Sequence, residues 1–269
     1  MTDLDRSILR RSVSASVAYP LLLLVIFLAG WHAASAYDLI PPYLVPSPST
    51  VWSRGIETAG LLLGHSLVTS YEILIGFLLS VIGGVLLGAA IVSSRTLEQT
   101  LYPWLVVIQV IPKVAIGPLL VVWLGFGLGP KVLIAFLLGF FPILINTMLG
   151  LKSVPRDSIF LMQTMGASRL TVFRRLLLPH AMPSICGALK VAVTFATIGA
   201  IVGEFIGANI GLGYVLIAAT GNLDTGLLFV ALFWVTAVAL LFYGAVAAIE
   251  KLLIPWHISV RAPTQASRI

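Results

Sequence analysis

Six long apolar stretches constrain the fold of this chain more than any other feature, because each is long enough to cross a lipid bilayer. They cover residues 18–36, 66–92, 101–124, 131–150, 184–206 and 226–250. A spanning helix needs about 20 apolar residues. Only 10% of the 269 residues are charged, whereas soluble domains carry roughly 25%. The sequence therefore predicts an all-α, polytopic membrane protein with six transmembrane helices, in a single domain over residues 1–269.

The basic residues predict the orientation of these helices, since cytoplasmic loops carry an excess of lysine and arginine. If the N-terminus is inside and sides alternate, Arg54 and Lys131 face outside, and Lys113 and Lys190 fall within spans. The other twelve basic residues then face inside: Arg6, Arg10, Arg11, Arg95, Lys152, Arg156, Arg169, Arg174, Arg175, Lys251, Arg261 and Arg268. We therefore expect both termini in the cytoplasm. The net charge of +6 then reflects orientation, and no nucleic-acid partner is expected.

The sequence lacks the motifs of an enzyme. Its four histidines are scattered, its single cysteine, Cys186, lies among apolar and small residues, and the phosphate-binding pattern G-x-x-x-x-G-K-[ST] is missing. We therefore predict no catalytic residue, no metal site and no cofactor bound by this chain. If the activity of this chain is driven by ATP, a separate subunit must bind and hydrolyse the nucleotide.

Prolines and glycines predict how the first and second spans are connected and packed. Four prolines between residues 41 and 48 exclude a helix there and favour turns. Ser49 or Thr50 is then placed to cap an amphipathic helix over residues 51–63. Within the second span, Gly84 and Gly88 give a G-x-x-x-G spacing, which lets helices approach closely. We expect it to serve packing within the subunit.

The third span is irregular, because Pro112, Gly117 and Pro118 interrupt it and Lys113 lies within the break. Broken helices often line cavities in transporters, and a simple packing kink is the alternative. Two roles stay open for Lys113. It either satisfies carbonyl groups that the break leaves free, or faces a substrate pathway and attracts an anionic group.

Two acidic residues fall within spans and need a partner or water. Glu204, towards the end of the fifth span, is a candidate for a pathway or gate. The structural alternative is a hydrogen bond to the backbone of residues 207–213. Glu72, near the start of the second span, is expected at the membrane interface.

The polar island at residues 151–183 is the part of the chain most suited to contact a soluble partner. Asp157 lies at the start of a predicted helix, and Gly166 permits the unusual backbone that ends one. Ser168 is then placed to cap a second short helix. The pattern predicts two short helices joined by a glycine hinge.

The second helix of this island has an apolar face and a basic rim. Leu170, Phe173 and Leu177 share one face, with Arg169 elsewhere on the helix. Pro179 and Pro183 are expected to stop the helix before the fifth span. An amphipathic loop lying on anionic lipid is the alternative to a docking segment.

The same island resembles the signature loop of ABC-importer permeases, written E-A-A-x-x-x-G-x(9)-I-x-L-P. Gly166, Leu176, Leu178 and Pro179 fall on its Gly, Ile, Leu and Pro. The E-A-A positions hold Phe160-Leu161-Met162, which departs from the motif, and Asp157 is the nearest acidic residue. The resemblance implies that residues 151–183 couple the permease to its ATPase through a set of residues: Asp157, Gly166, Ala167, Ser168, Arg169, Phe173, Leu176, Leu178 and Pro179.

Further stretches are similar to the nitrate, sulfonate and taurine branch of these permeases. They are residues 45–48, 117–127, 140–142, 203–205 and 211–213. The resemblance implies a type I importer permease of the bacterial inner membrane. Its partners would be a second permease copy, two cytoplasmic ATP-binding subunits that carry ATP and Mg, and a periplasmic or lipid-anchored binding protein, with membrane lipid around them.

The branch handles organic and inorganic anions, thiamine-precursor pyrimidines, riboflavin and aromatic acids, so the substrate stays open. The alternative function is a secondary transporter, or another polytopic membrane protein, that works without an ATPase. Secondary transporters usually show inverted repeats and ionisable groups at the midplane, and no convincing repeat is present in the sequence.

Overall fold

The computed structural model describes the backbone of residues 3–255 and the side chains of residues 18–255. Arg261 and Arg268, and the side chains of Arg6, Arg10 and Arg11, which the charge pattern places inside, lie outside these ranges. The described part consists of helices joined by turns and loops, and it contains no strand. Its helices are α1 (Asp3–Ala36), α2 (Pro48–Ser93), α3 (Arg95–Val110), α4 (Gly117–Leu124), α5 (Leu128–Lys152), α6 (Arg156–Thr164), α7 (Arg169–Val172), α8 (Leu178–Gly207), α9 (Leu212–Gly221) and α10 (Thr225–Leu253).

The structure has five candidate membrane spans, or six when a bent pair of helices is counted as one span, and the latter number agrees with the six apolar stretches. Five stretches of helix are long and apolar enough to cross a membrane. In chain order they are the part of α1 from residue 18 to 36, then α2, then α5, then the continuous helix formed by α7 and α8, and finally α10. The sixth is formed by α3 and α4, which are bent by 80° at their junction and count as a span only when taken together. The predicted break in the third span is confirmed.

Helix α2 differs from the sequence prediction at its start. It runs for 46 residues without interruption, so the helix expected over residues 51–63 and the second span are one element. The cap is Ser47, not Ser49 or Thr50, and its Oγ accepts a hydrogen bond from the backbone N–H of Thr50 at 3.1 Å. Pro48 fits because the first turn of a helix needs no N–H donor.

The core forms where α5 packs between α2 and α8. A Cβ atom added to Gly84 of α2 would lie 2.8 Å from Ile143 Cγ2 of α5, and one on Gly199 of α8 would lie 2.6 Å from the Cα of Ala135. Only residues without a side chain allow backbones to approach this closely. The G-x-x-x-G spacing of α2 therefore serves packing within the chain, as the sequence predicted.

The break in the third span separates two helices with different neighbours. A 3-10 turn at Lys113–Ile116 joins them, with α3 packed on α2 and α4 packed on α5 and α8. Gly125 and Gly127, at φ values of +75° and +139°, then make the turn into α5. Both conformations lie in the region that favours glycine.

The expectation that Pro179 and Pro183 end the helix is wrong. Helix α7 passes through a π turn at Phe173–Leu177 directly into α8, which contains both prolines. The wider π turn rearranges the backbone hydrogen bonds just before Pro179, and Pro179 stands in the first turn of α8. In this position its missing N–H interrupts no hydrogen bond that the helix needs. The second helix of the island is thus continuous with a membrane span.

Candidate functional site

The glycine hinge of the 151–183 island has the geometry that the sequence predicted. Helix α6 ends at Thr164, and Gly166 adopts φ +82°. The N–H of Gly166 donates to the carbonyl of Gln163, and the N–H of Ala167 donates to that of Met162, each at 3.0 Å. These bonds satisfy carbonyl groups that the end of a helix leaves free. No atom of the described residues lies within 4 Å of the position that a Cβ of Gly166 would occupy. The backbone conformation, rather than crowding by neighbouring atoms, therefore favours glycine at this position.

The second helix begins with the predicted cap. Ser168 Oγ accepts a hydrogen bond from the N–H of Thr171 at 3.3 Å. Asp157 lies in the first turn of α6, where a carboxylate interacts favourably with the helix dipole. The island is therefore two helices with defined starts, joined by a turn of fixed shape.

A groove of about 690 Å³ separates this island from the end of α2. Ile159 and Gln163 of α6 line one side of the groove, and Val92 of α2 lines another side. The predicted apolar face of the second helix lines it too, with Leu170, Phe173 and Leu177. Those three residues are thus brought together, at the end of the bundle where α5 ends and α8 begins.

The outer surface of the island exposes large apolar side chains beside arginines. Met165 is 78% exposed, and Phe160 and Leu161, at the positions of the motif's Glu-Ala, are also exposed. Arg169 and Arg174 are exposed as well. An exposed apolar patch with a charged rim is typical of a protein–protein contact. Of the other predicted coupling residues, Pro179 is exposed, and Ala167, Leu176 and Leu178 are half-buried.

Lys113 lies in the broken third span, away from the island. Its Nζ donates to the carbonyl of Gln109, one turn earlier, and lies 4.7 Å from the centre of the Phe141 ring of α5. The helix break leaves that carbonyl without a backbone donor, and the ring offers a cation–π contact. Both contacts suit a role in holding the break.

Glu204 is 1% exposed and lies at the opposite end of the bundle, where α8 ends. Its Oε2 accepts from the N–H of Gly213 at 2.5 Å, and its Oε1 accepts from the hydroxyl of Thr69 at 2.6 Å. The hydrogen bond to the 207–213 backbone, one of the two roles considered for Glu204, is therefore present.

Three polar side chains together bind the start of α9. The N–H of Gly211 donates to His65 Nδ1 and that of Leu212 to Thr69 Oγ1, each at 2.9 Å. With Gly213 bound by Glu204, three of the N–H groups that this helix start leaves free are satisfied from α2 and α8. A carboxylate at the N-terminus of a helix is also favoured by the helix dipole.

Glu72, expected at the membrane interface, and Lys131, which the charge pattern places on the outer side, are both buried within the protein. Glu72 is 1% exposed and Lys131 is 5% exposed. Lys131 Nζ lies 2.8 Å from Glu72 Oε1. The buried ammonium group of Lys131 therefore has a hydrogen-bond acceptor, which a buried charge requires. The pair joins α2 to α5, next to Glu204.

Sequence reasoning missed His65, Thr69 and Glu72 as one group. Their spacing of four and three residues places them on one face of α2. That spacing was visible in the sequence, but their partners on α5, α8 and α9 depend on tertiary packing.

These features define a class of protein, the membrane-embedded permeases of importers. The model of the family described as "binding-protein-dependent transport system inner membrane component" matches residues 80–255. The chain belongs to this family and is the permease component of an ABC importer, as the signature loop indicated. It is therefore a transport component of the inner membrane.

Curated relatives cover most of the chain. It is 37% identical over 239 residues to the formylaminopyrimidine transport permease ThiX of Halalkalibacterium halodurans, covering 88% of this chain and 95% of ThiX. It is 39% identical over 241 residues to the riboflavin transport permease RibX of Chloroflexus aurantiacus, covering 89% of each. Identity to the taurine transport permease TauC of Escherichia coli is 28% over 256 residues, covering 93% of this chain and 92% of TauC.

A solved structure has the same fold. A chain of the MetNI methionine ABC transporter, in an inward-facing conformation, superposes with a TM-score of 0.63 at 19% identity. The match covers 73% of this chain and 98% of that chain. The all-α fold of a type I importer permease is therefore shown.

Proposed function

We propose that α6, the Gly166 hinge and α7 form the surface through which this permease receives force from two cytoplasmic ATP-binding subunits. These subunits bind ATP and Mg and hydrolyse the nucleotide. The permease contributes no catalytic group. The observation that carries the proposal is the continuous helix from Arg169 to Gly207, which joins the exposed island directly to a span.

This continuity gives a mechanical route from the island to the core. Closure of the ATP-binding subunits displaces the island, and α8 moves with it because no flexible loop intervenes. Helix α8 packs closely on α5 along its length, so the displacement reaches the helices that surround the substrate pathway. Two states of the permease are thus favoured by different ligands.

We also propose a symmetric homodimer with the pathway on its two-fold axis, and both termini in the cytoplasm. Among the described residues α3 has no buried position, and most of α4 is exposed. One chain therefore leaves much apolar surface for a partner or lipid. Native mass spectrometry of the detergent-extracted complex should show two copies of this chain. Two different permeases would indicate a heterodimer, and a single copy would contradict the dimer.

The substrate we propose is a nitrogen heterocycle of the vitamin or vitamin-precursor type, delivered by a periplasmic or lipid-anchored binding protein. The support for this proposal is that sequence identity differs between relatives that are named for different substrates. The relatives named for formylaminopyrimidine and riboflavin are 37% and 39% identical, whereas the one named for taurine is 28% identical. A thermal-shift screen of the binding protein encoded beside this gene should show stabilisation by a pyrimidine or flavin. Stabilisation by taurine or an alkyl sulfonate alone would contradict it.

Co-purification tests the ATP-driven function directly. The permease, expressed with its neighbouring ATP-binding subunit, should purify as a complex that hydrolyses ATP. In proteoliposomes, uptake should require ATP and the substrate-loaded binding protein. Uptake driven by an ion gradient without ATP would instead establish a secondary transporter.

A further inference from the structure

Three buried ionisable side chains meet where α2, α5 and α8 pack together. Glu72 and Lys131 form an ion pair at 2.8 Å. Thr69, one turn before Glu72 on α2, donates to Glu204, and Gly203 packs directly on the backbone of Lys131. The carboxyl groups of Glu72 and Glu204 are therefore neighbours. We call Glu72, Lys131 and Glu204 the buried triad.

The charges of the buried triad do not balance if every group is ionised. Two carboxylates then face one ammonium, in a place that water does not reach. An uncompensated buried charge is strongly destabilising. A second cation or a bound proton restores the balance.

Among the side chains of residues 18–255, the surrounding elements offer no second cation. His65 of α2 accepts the N–H of Gly211 through Nδ1 at 2.9 Å, which a doubly protonated imidazole is unable to do. Helix α9 contributes Tyr214, whose ring stacks on His65, and backbone N–H groups. Lys131 is the cation that the described residues bring to the triad.

The hydrogen bonds indicate where a proton fits. Both oxygens of Glu204 already accept, from Thr69 and Gly213. Oε1 of Glu72 accepts from Lys131. Oε2 of Glu72 is buried and has no hydrogen-bond partner within residues 18–255. A buried acceptor without a donor is unfavourable, whereas a protonated carboxyl oxygen becomes a donor itself.

We propose that the buried triad is a binding site for one proton, held between the carboxyl groups of Glu72 and Glu204. Oε2 of Glu72 carries the proton and donates to Glu204. The negative charge of Glu204 is then balanced by Lys131, and no polar atom of the three side chains is left without a partner. The rival arrangement has both carboxylates ionised, with the excess charge met by the N-terminus of α9, equivalent to roughly half a positive charge.

Infrared spectroscopy separates the two arrangements. The full-length permease in lipid nanodiscs is compared with Glu72→Gln and Glu204→Gln at neutral pH. We expect the carbonyl stretch of a protonated carboxyl in the wild type and its loss in each variant. Removing either carboxyl leaves one carboxylate opposite one ammonium, so no proton is needed. Absence of this band from the wild type, or its persistence in both variants, would overturn the proposal.

Glu250→Gln is the matched control. Glu250 pairs one-to-one with Lys190 at 2.7 Å, so its removal should leave the band unchanged. Melting curves establish that each variant is folded. If a glutamine variant does not fold, wild-type protein with ¹³C-labelled glutamate decides, because the band must then shift with the label. A band that does not shift would refute the assignment to glutamate.

Discussion

At the scale of single residues, the backbone conformation of the turn before α9 and the position of the buried Glu204 carboxyl depend on each other. Gly211 has φ +127°, and a Cβ there would lie 2.0 Å from Glu204 Oε1. The turn before α9 thus needs glycine twice over, for its conformation and for access of the carboxylate. The stretches 203–205 and 211–213, which support the family resemblance, are in contact through Glu204.

Gly211→Ala should destabilise the permease markedly. A left-handed backbone costs a residue with a side chain about 1–3 kcal/mol, and displacing Glu204 from the α9 amides adds to this. We expect a clearly lower melting temperature in detergent. Gly60→Ala is the control, because no atom lies within 4 Å of its Cβ position in α2. It should keep or raise the melting temperature, since alanine favours a helix by roughly 0.5–1 kcal/mol. Equal melting temperatures for the two variants would contradict this account of Gly211.

Lys113→Met should lower the melting temperature while leaving transport measurable. Methionine leaves the Gln109 carbonyl without this donor, and an unsatisfied carbonyl within a membrane span is costly. Lys113→Arg should retain both stability and transport. Melting curves and uptake assays on the same preparations of each Lys113 variant separate an effect on stability from an effect on transport. A methionine variant that melts like the wild type but fails to transport would assign Lys113 to the pathway.

The residues that sequence reasoning placed well are those governed by their immediate neighbours. The positive φ of Gly166 and the cap at Ser168 follow from local chain chemistry. The Lys131–Glu72 pair does not, because 59 residues separate its members and only the packing of α2 on α5 joins them. Charge counting therefore gave no sign that Lys131 is buried beside an acidic partner.

At the scale of elements, helix ends explain both the successes and the errors. Apolar stretches predict spans well, because a helix in lipid satisfies its own backbone groups. Proline is a weaker signal. Pro112 lies at a real break, just before the 3-10 turn that joins α3 to α4, whereas Pro179 and Pro183 lie inside α8. The difference is the π turn ahead of Pro179, which no local pattern in the sequence predicts.

The start of α10 gives a prediction with a defined pH dependence. Asp224 caps α10 through the N–H of Leu227 at 3.0 Å and pairs with Arg54 of α2. Burial raises the pKa of Asp224, but the hydrogen bonds from Leu227 and Arg54 outweigh it and hold the pKa below its ordinary value. Its contribution to stability is therefore complete above the unfolded pKa of about 3.9 and is lost as pH falls through the lower folded value.

Two variants separate the cap from the ion pair. Asp224→Ala should cost about 1 kcal/mol from the lost cap. Asp224→Asn keeps a capping side chain and should cost less, because partly exposed ion pairs contribute little. The melting temperature of the wild type should approach that of Asp224→Asn in acid. Parallel curves for the two proteins across this pH range would contradict the assignment.

At the scale of the whole molecule, two polar features lie at opposite ends of a close-packed apolar bundle. The island of α6 and α7 lies where α5 ends, and the buried triad lies where α5 begins. Helix α8 connects the two, and its glycines let it pack tightly against α5. If the island receives force as proposed, we expect the movement to be carried along α8 to the far end of the permease.

The central claim, that the island couples ATP hydrolysis to transport, is tested most directly at Gly166. Gly166→Leu places a bulky side chain on a backbone at φ +82° and on the surface that would meet the ATP-binding subunit. Gly166→Asn is the control, because asparagine tolerates this conformation. ATP hydrolysis stimulated by substrate-loaded binding protein is measured in proteoliposomes. We predict that Gly166→Leu inserts into the membrane but loses this stimulation and that Gly166→Asn retains it. Wild-type stimulation and uptake with Gly166→Leu would contradict the coupling assignment.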